Sequence, residues 1–117
     1  MTGLKTRIET PFIQESITFY TKYVGMTVLE LWGENGAILG LGSSIQGEAF
    51  LELAYIETPK TYEGLSLQFR VDSLAAIVKK LRGKVNFRGP KKRPWGSTYL
   101  YFEDPTGILV ILYEGKL

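Results

Sequence analysis

The same order of local patterns occurs twice in this 117-residue chain, and that duplication restricts its possible folds more than any single motif does. Leu65, Leu67, Phe69 and Val71 alternate with Ser66, Gln68 and Arg70, the period-2 signature of a strand with one apolar and one polar face. Asp72 and Ser73 then offer capping oxygens to a helix over residues 74–82, whose apolar spacing and basic end close at Gly83. The chain opens in the same way. An alternating segment from Leu4 to Thr10 leads into Ile13, Ile17, Tyr20 and Val24 at helical spacing, with Gly25 as the stop, so the spacing predicts a helix over residues 13–23. Helix starts at positions 13 and 73 lie 60 residues apart; residues 36–41 precede residues 96–101 by the same interval. Residues 50–56 precede residues 108–114 by 58.

Each half therefore reads strand, helix, strand, strand, strand, with module 1 at about 1–58 and module 2 at about 64–117 of one domain spanning 1–117. Two copies are too few for a solenoid. The pattern predicts an α+β fold of two βαβββ modules, with helices on one side of antiparallel sheets and the other side curved into a cup. A chain of this length buries about two-thirds of its unfolded surface, enough for one core. Strand parity puts Ser66, Gln68 and Arg70 on the open side, together with Lys5 and Arg7 from the first strand and Phe50, Glu52, Ala54 and Ile56 from the fourth. Residues 108–114 are apolar on both sides, so their parity stays open.

The chain has no histidine and no cysteine, which removes the commonest metal ligand, the usual proton shuttle, thiolate zinc sites and cysteine nucleophiles. Ser43, Ser44, Ser66 and Ser97 have no imidazole base to activate them. The run Gly40-Leu41-Gly42-Ser43-Ser44 lacks the lysine and the following helix of a phosphate loop and reads as a turn after the third strand. No apolar run approaches the ~20 residues that cross a bilayer, and the start lacks a signal-peptide core, so a cytoplasmic protein without membrane partners is expected.

The net charge of +2 hides an asymmetry: residues 1–65 carry four cations against eight acids, and residues 66–117 carry ten against four. Lys79, Lys80, Arg82, Lys84, Arg88, Lys91, Lys92 and Arg93 form a stretch without one acid. They spread over a helix end, a strand and a loop, and no nucleic-acid module surrounds them, so a solvated surface or a loop gating an acidic ligand is expected rather than a nucleic-acid partner. Trp32, Trp95, Tyr99, Tyr101 and Tyr113 are candidates for an aromatic pocket wall.

Two stretches carry a family resemblance: Ser16-Ile17-Thr18-Phe19-Tyr20 with Val24-Gly25-Met26, and Pro94-Trp95-Gly96-Ser97-Thr98-Tyr99 with Phe102-Glu103-Asp104-Pro105-Thr106-Gly107 and Tyr113-Glu114. With the duplication, they resemble the vicinal oxygen chelate superfamily, which contains glyoxalase I, extradiol dioxygenases, fosfomycin-resistance enzymes and bleomycin-resistance proteins. The resemblance implies a cup built by both modules and a homodimer. It also implies a divalent metal held by residues of the first and fourth strands of each module. Those positions fall on Lys5, Glu52, Ser66 and Ile111, of which Glu52 alone is a usual ligand type. Lys5 is expected to pair with Glu52 in place of the cation.

The expected function is accordingly metal-independent binding of a small organic ligand, resembling the sequestering bleomycin-resistance branch, with no cofactor and no metal. Lys5, Arg7, Glu52, Ser66, Gln68, Arg70, Trp95, Tyr99 and Ile111 are the expected ligand-binding residues. A partly aromatic, neutral or anionic guest suits them better than a large cationic drug. Two alternatives stand beside this reading: a glyoxalase/dioxygenase-superfamily enzyme with non-standard or metal-free lyase or isomerase chemistry using Glu52 as base, and an interaction module that keeps the fold as a scaffold.

Overall fold

The computed structural model describes residues 1–41 and 49–116, and its contacts divide into two compact units, Met1–Thr61 and Tyr62–Leu117. The turn expected at Gly42-Ser43-Ser44 lies outside the described residues. The first unit runs β1 (Leu4–Thr10), α1 (Ile13–Phe19), β2 (Met26–Leu31), β3 (Gly36–Leu41) and β4 (Ala49–Tyr55). The second runs β5 (Ser66–Arg70), α2 (Leu74–Leu81), β6 (Phe87–Lys92), β7 (Thr98–Glu103) and β8 (Leu109–Glu114). Both are βαβββ modules of an α+β fold, with strand orders β1-β4-β3-β2 and β5-β8-β7-β6. The sheets are mixed rather than antiparallel. The last three strands of each unit form an antiparallel meander, whereas the first strand, reached through the helix, lies parallel to the fourth.

In the first unit, Ile8 of β1, Leu39 of β3 and Leu51 and Leu53 of β4 are buried, and α1 packs on β3 and β4. The helix differs from its predicted stripe. Ile13, Ser16, Phe19 and Tyr20 are buried, while Ile17 and Val24 are only half-buried. The reason lies past Phe19, where the backbone widens into a π turn over Tyr20–Val24 that ends with Gly25 N–H donating to the Tyr20 carbonyl at 3.0 Å. That wider turn takes Val24 off the 3.6-residue stripe and ends the α-helix four residues early. Phe19 meets Tyr20 and Tyr23 edge-on, with ring centroids 5.1 and 5.8 Å apart.

In the second unit, α2 buries Leu74, Ile77, Val78 and Leu81, and Leu100, Phe102, Val110 and Leu112 of the sheet are fully enclosed. Each such side chain contributes about 2 kcal/mol of apolar burial. Ser73 caps α2 as its sequence suggests, its Oγ accepting from Ala76 N–H at 3.3 Å. A second cap was not legible: the Glu114 carboxylate, at the end of β8, accepts from Leu74 N–H at 2.6 Å. A negative group there complements the helix dipole and ties the start of α2 to the sheet.

Candidate ligand-binding face

Alternation along β7 and β8 sends Leu100, Phe102, Val110 and Leu112 into the core, which leaves Tyr99, Tyr101, Ile111 and Tyr113 on the opposite face. The ladders line these residues up across the strands. Gln68, Ile111 and Tyr101 form one row; Arg70, Tyr113 and Tyr99 form the next. On the outer side, Arg88 stands opposite Tyr101 and Lys91 opposite Tyr99, with a register shift between them. The unread parity of β8 is thereby settled, and Ile111 shares a face with Ser66, Gln68 and Arg70.

The three tyrosines make a continuous aromatic row. Tyr99 lies 5.7 Å from Tyr113 and 6.4 Å from Tyr101 by ring centroid, with interplanar angles of 28° and 24°. The Arg88 guanidinium sits 5.9 Å from the Tyr101 ring and extends the row with a cation. Two N–H groups brace the phenols: Arg93 Nη2 donates to Tyr101 Oη at 2.9 Å, and Trp95 Nε1 donates to Tyr99 Oη at 3.1 Å. Trp95 is 63% exposed, so it borders this face rather than filling it.

On the first sheet, Lys5, Arg7 and Glu9 alternate with the buried Ile8 and Thr10, and the register sets Arg7 beside Glu52. Lys5 Nζ lies 3.9 Å from Glu52 Oε1, the pairing the sequence suggested, and Arg7 Nε lies 3.8 Å from Glu52 Oε2. Arg7 also approaches Glu9 at 3.7 Å, and Lys60 reaches the same carboxylate at 3.2 Å. Both Glu52 oxygens are thus turned toward cations of the same chain. At these separations, with Lys5 and Arg7 half-exposed, each pair contributes at most about 1 kcal/mol.

These donor sets do not fit a divalent metal. In the first unit an ammonium stands beside the one carboxylate; in the second, the corresponding positions are the hydroxyl of Ser66 and the hydrocarbon of Ile111. No group of three acidic, histidine or cysteine side chains among the described residues converges to hold an ion.

The nine predicted site residues fall into two sets. Lys5, Arg7 and Glu52 meet on the first sheet, and Ser66, Gln68, Arg70, Tyr99 and Ile111 share the second, with Trp95 bonded to Tyr99. Arg7 is engaged by acids, whereas Arg70 meets none among the described residues. Tyr101 and Tyr113, expected as pocket-wall aromatics though not among the nine, complete the aromatic face with Arg88 and Arg93, which no sequence reading singled out as ligand-binding. Which arginines of the basic stretch reach a tyrosine had no sequence signal. An open cleft of about 420 Å³ lined by residues 85–88 and 102–104 takes in none of the nine.

Two βαβββ units, each with a polar or aromatic sheet face and with no metal-ligand set among the described residues, define a class of duplicated α+β protein. The chain belongs to the Glyoxalase/Bleomycin resistance protein/Dioxygenase superfamily, whose family model matches residues 6–112. Solved structures share the fold at low identity. An integron cassette protein from the Halifax Harbour sewage outfall metagenome has a TM-score of 0.74 at 19% identity, covering 97% of each chain. A lactoylglutathione lyase from Agrobacterium tumefaciens has a TM-score of 0.71 at 16% identity, covering 96% of this chain and 92% of its own. An antibiotic binding protein from a Streptomyces species has a TM-score of 0.68 at 23% identity, covering 97% of each. No curated protein matches. No helix among the described residues is long and apolar enough to cross a membrane.

Proposed function

We propose that this chain binds a small organic molecule without a metal and without transforming it, in the sequestering manner of the bleomycin-resistance branch of its superfamily. The observation that carries the reading is the aromatic row Tyr113, Tyr99 and Tyr101 on an accessible sheet face, with Arg88 and Trp95 at its margin. Aromatic surface with a few placed polar groups is what a binding site for a small molecule requires. The antibiotic binding protein of the same fold supports it as a precedent. Gln68, Ser66 and Ile111 supply the floor of the face, and Lys5, Arg7 and Glu52 form a self-neutralised polar surface on the first sheet. The active species is a single-domain chain paired as a homodimer in the cytoplasm.

Chemistry through Glu52 is disfavoured by its two cationic neighbours, which leave neither carboxylate oxygen aimed only at a guest. The test is a thermal-shift screen of aromatic antibiotics and organic acids, followed by mass analysis of each bound compound. Stabilisation that grows with free ligand, with the compound recovered intact, is expected; at a hundred-fold excess over Kd it reaches about 2.7 kcal/mol. A converted product whose formation stops in Glu52→Gln would contradict the reading.

A further inference from the structure

We infer that the tyrosine face selects planar aromatic compounds carrying an anionic or strongly hydrogen-bond-accepting oxygen group, which the Tyr99 and Tyr101 hydroxyls and the Arg88 and Arg93 guanidinium groups receive. The inference rests on the binding reading above and adds the chemical class of the guest.

Its basis is the direction of the hydrogen bonds. A phenol oxygen that accepts an N–H keeps its own O–H to donate. Tyr101 Oη accepts from Arg93 at 2.9 Å, and Tyr99 Oη accepts from Trp95 at 3.1 Å. Among the described residues no acceptor is placed for either hydroxyl hydrogen. Tyr99 and Tyr101 stand two apart on β7, so both donors leave the sheet on one side, next to each other. Donation from a cation into the Tyr101 oxygen polarises its O–H and strengthens the bond it gives onward.

The charge around these donors has one dominant sign. Arg88 lies over the Tyr101 ring, Lys91 pairs with Tyr99 in the ladder, and Arg70 pairs with Tyr113. None of these, nor Arg93, forms an ion pair among the described residues, in contrast to Lys5, Arg7 and Lys60. The sole acid on this face of β7 is Glu103, exposed at the strand end beyond Tyr101. A carboxylate, phenolate or quinone oxygen therefore meets two hydroxyl donors and unpaired guanidinium groups, while a flat ring system rests on the tyrosines. A cationic guest meets repulsion at the same spot.

Equilibrium dialysis with three probes of one ring size tests this: 2-naphthoate, neutral 2-naphthalenemethanol and cationic 2-naphthylmethylammonium. Naphthoate is expected to bind about ten-fold more tightly than the alcohol, and the ammonium more weakly than either. Tyr101→Phe and Arg93→Gln, which keep the ring row, are each expected to weaken naphthoate by about five- to ten-fold and the alcohol by less than about two-fold. The naphthoate preference shrinks with added salt. Equal binding of naphthoate and the alcohol would overturn this inference while leaving small-molecule binding intact. Failure of all three probes would overturn both. Binding of a short oligothymidylate more tightly than naphthoate would replace the guest by a single-stranded nucleic acid stacked on the same rings and overturn it as well.

Discussion

Gly36→Ala destabilises the first unit by about 3 kcal/mol or more, the cost of a close backbone overlap added to a conformation that side chains other than hydrogen do not tolerate. Gly36 begins β3 with φ 150° and ψ −170°, accepts from Trp32 N–H at 2.9 Å and lies opposite Ala54 in the ladder. A Cβ at this position would overlap the Leu53 carbonyl oxygen of β4 and come within 3.3 Å of the Trp32 ring. The obstacle is backbone in the middle of a sheet, so relief requires separating β3 from β4. Gly64 is the control: its φ is +83°, but nothing lies within 4 Å of a built Cβ. Gly64→Ala is therefore expected to cost only about 1 kcal/mol. Urea unfolding followed by far-ultraviolet circular dichroism measures both. Equal midpoints for the two variants would contradict the account.

Asp104→Ala lowers stability by about 2–3 kcal/mol, and Asp104→Asn by about 1 kcal/mol or less. Asp104 is 6% exposed, and its Oδ1 accepts from Thr106 N–H at 2.8 Å and from Ile108 N–H at 2.9 Å. Two backbone bonds, Gly107 N–H to the Asp104 carbonyl and Asp104 N–H to the Ile108 carbonyl, complete the turn from β7 into β8. Alanine removes the acceptor of both side-chain bonds, whereas asparagine retains an oxygen able to occupy the same position. The same urea titration checks the pair; an asparagine variant as unstable as the alanine variant would show that charge, not the hydrogen-bond acceptor, holds the turn. The motif Glu103-Asp104-Pro105-Thr106-Gly107, which carried much of the family resemblance, thus owes its pattern to this turn.

What the sequence reveals and what it withholds divides along physical lines. β1 is readable to its ends because Lys5, Arg7 and Glu9 alternate with Ile8 and Thr10, and alternation is a local property. The start of α2 is readable because Ser73 sits next to the helix it caps. The carboxylate of Glu114 at the same helix start is 40 residues away, and nothing local announces it. Parallel pairing of β1 with β4 and of β5 with β8 is likewise non-local, which is why the sheets read as antiparallel. α1 stops at Phe19, short of its sequence pattern, because a period of 3.6 assumes that every turn is α, and the π turn breaks the assumption.

The candidate site was half-legible for the same reason. Parity assigned Ser66, Gln68 and Arg70 to one face, but β8 offered Val110, Ile111 and Leu112 with no polar contrast, and only its pairing with Gln68 identified Ile111 as their neighbour. The Lys5–Glu52 pairing was readable because the family resemblance matches both to positions where relatives hold a metal. Arg88 and Arg93 were hidden among eight cations, because composition gives the charge of a stretch and not which member reaches a ring.

Among the described residues, this member of a superfamily rich in metalloenzymes brings no metal-ligand set together, and the proposed binding of an organic guest rests on its aromatic, cation-lined face. The decisive experiment is isothermal titration of protein made without a metal-affinity tag against zinc, nickel and manganese. No saturable uptake of any of the three is expected, because an ammonium and a guanidinium already flank Glu52 and no second carboxylate joins it among the described residues. Stoichiometric binding of one ion per chain, lost in Glu52→Gln, would contradict it.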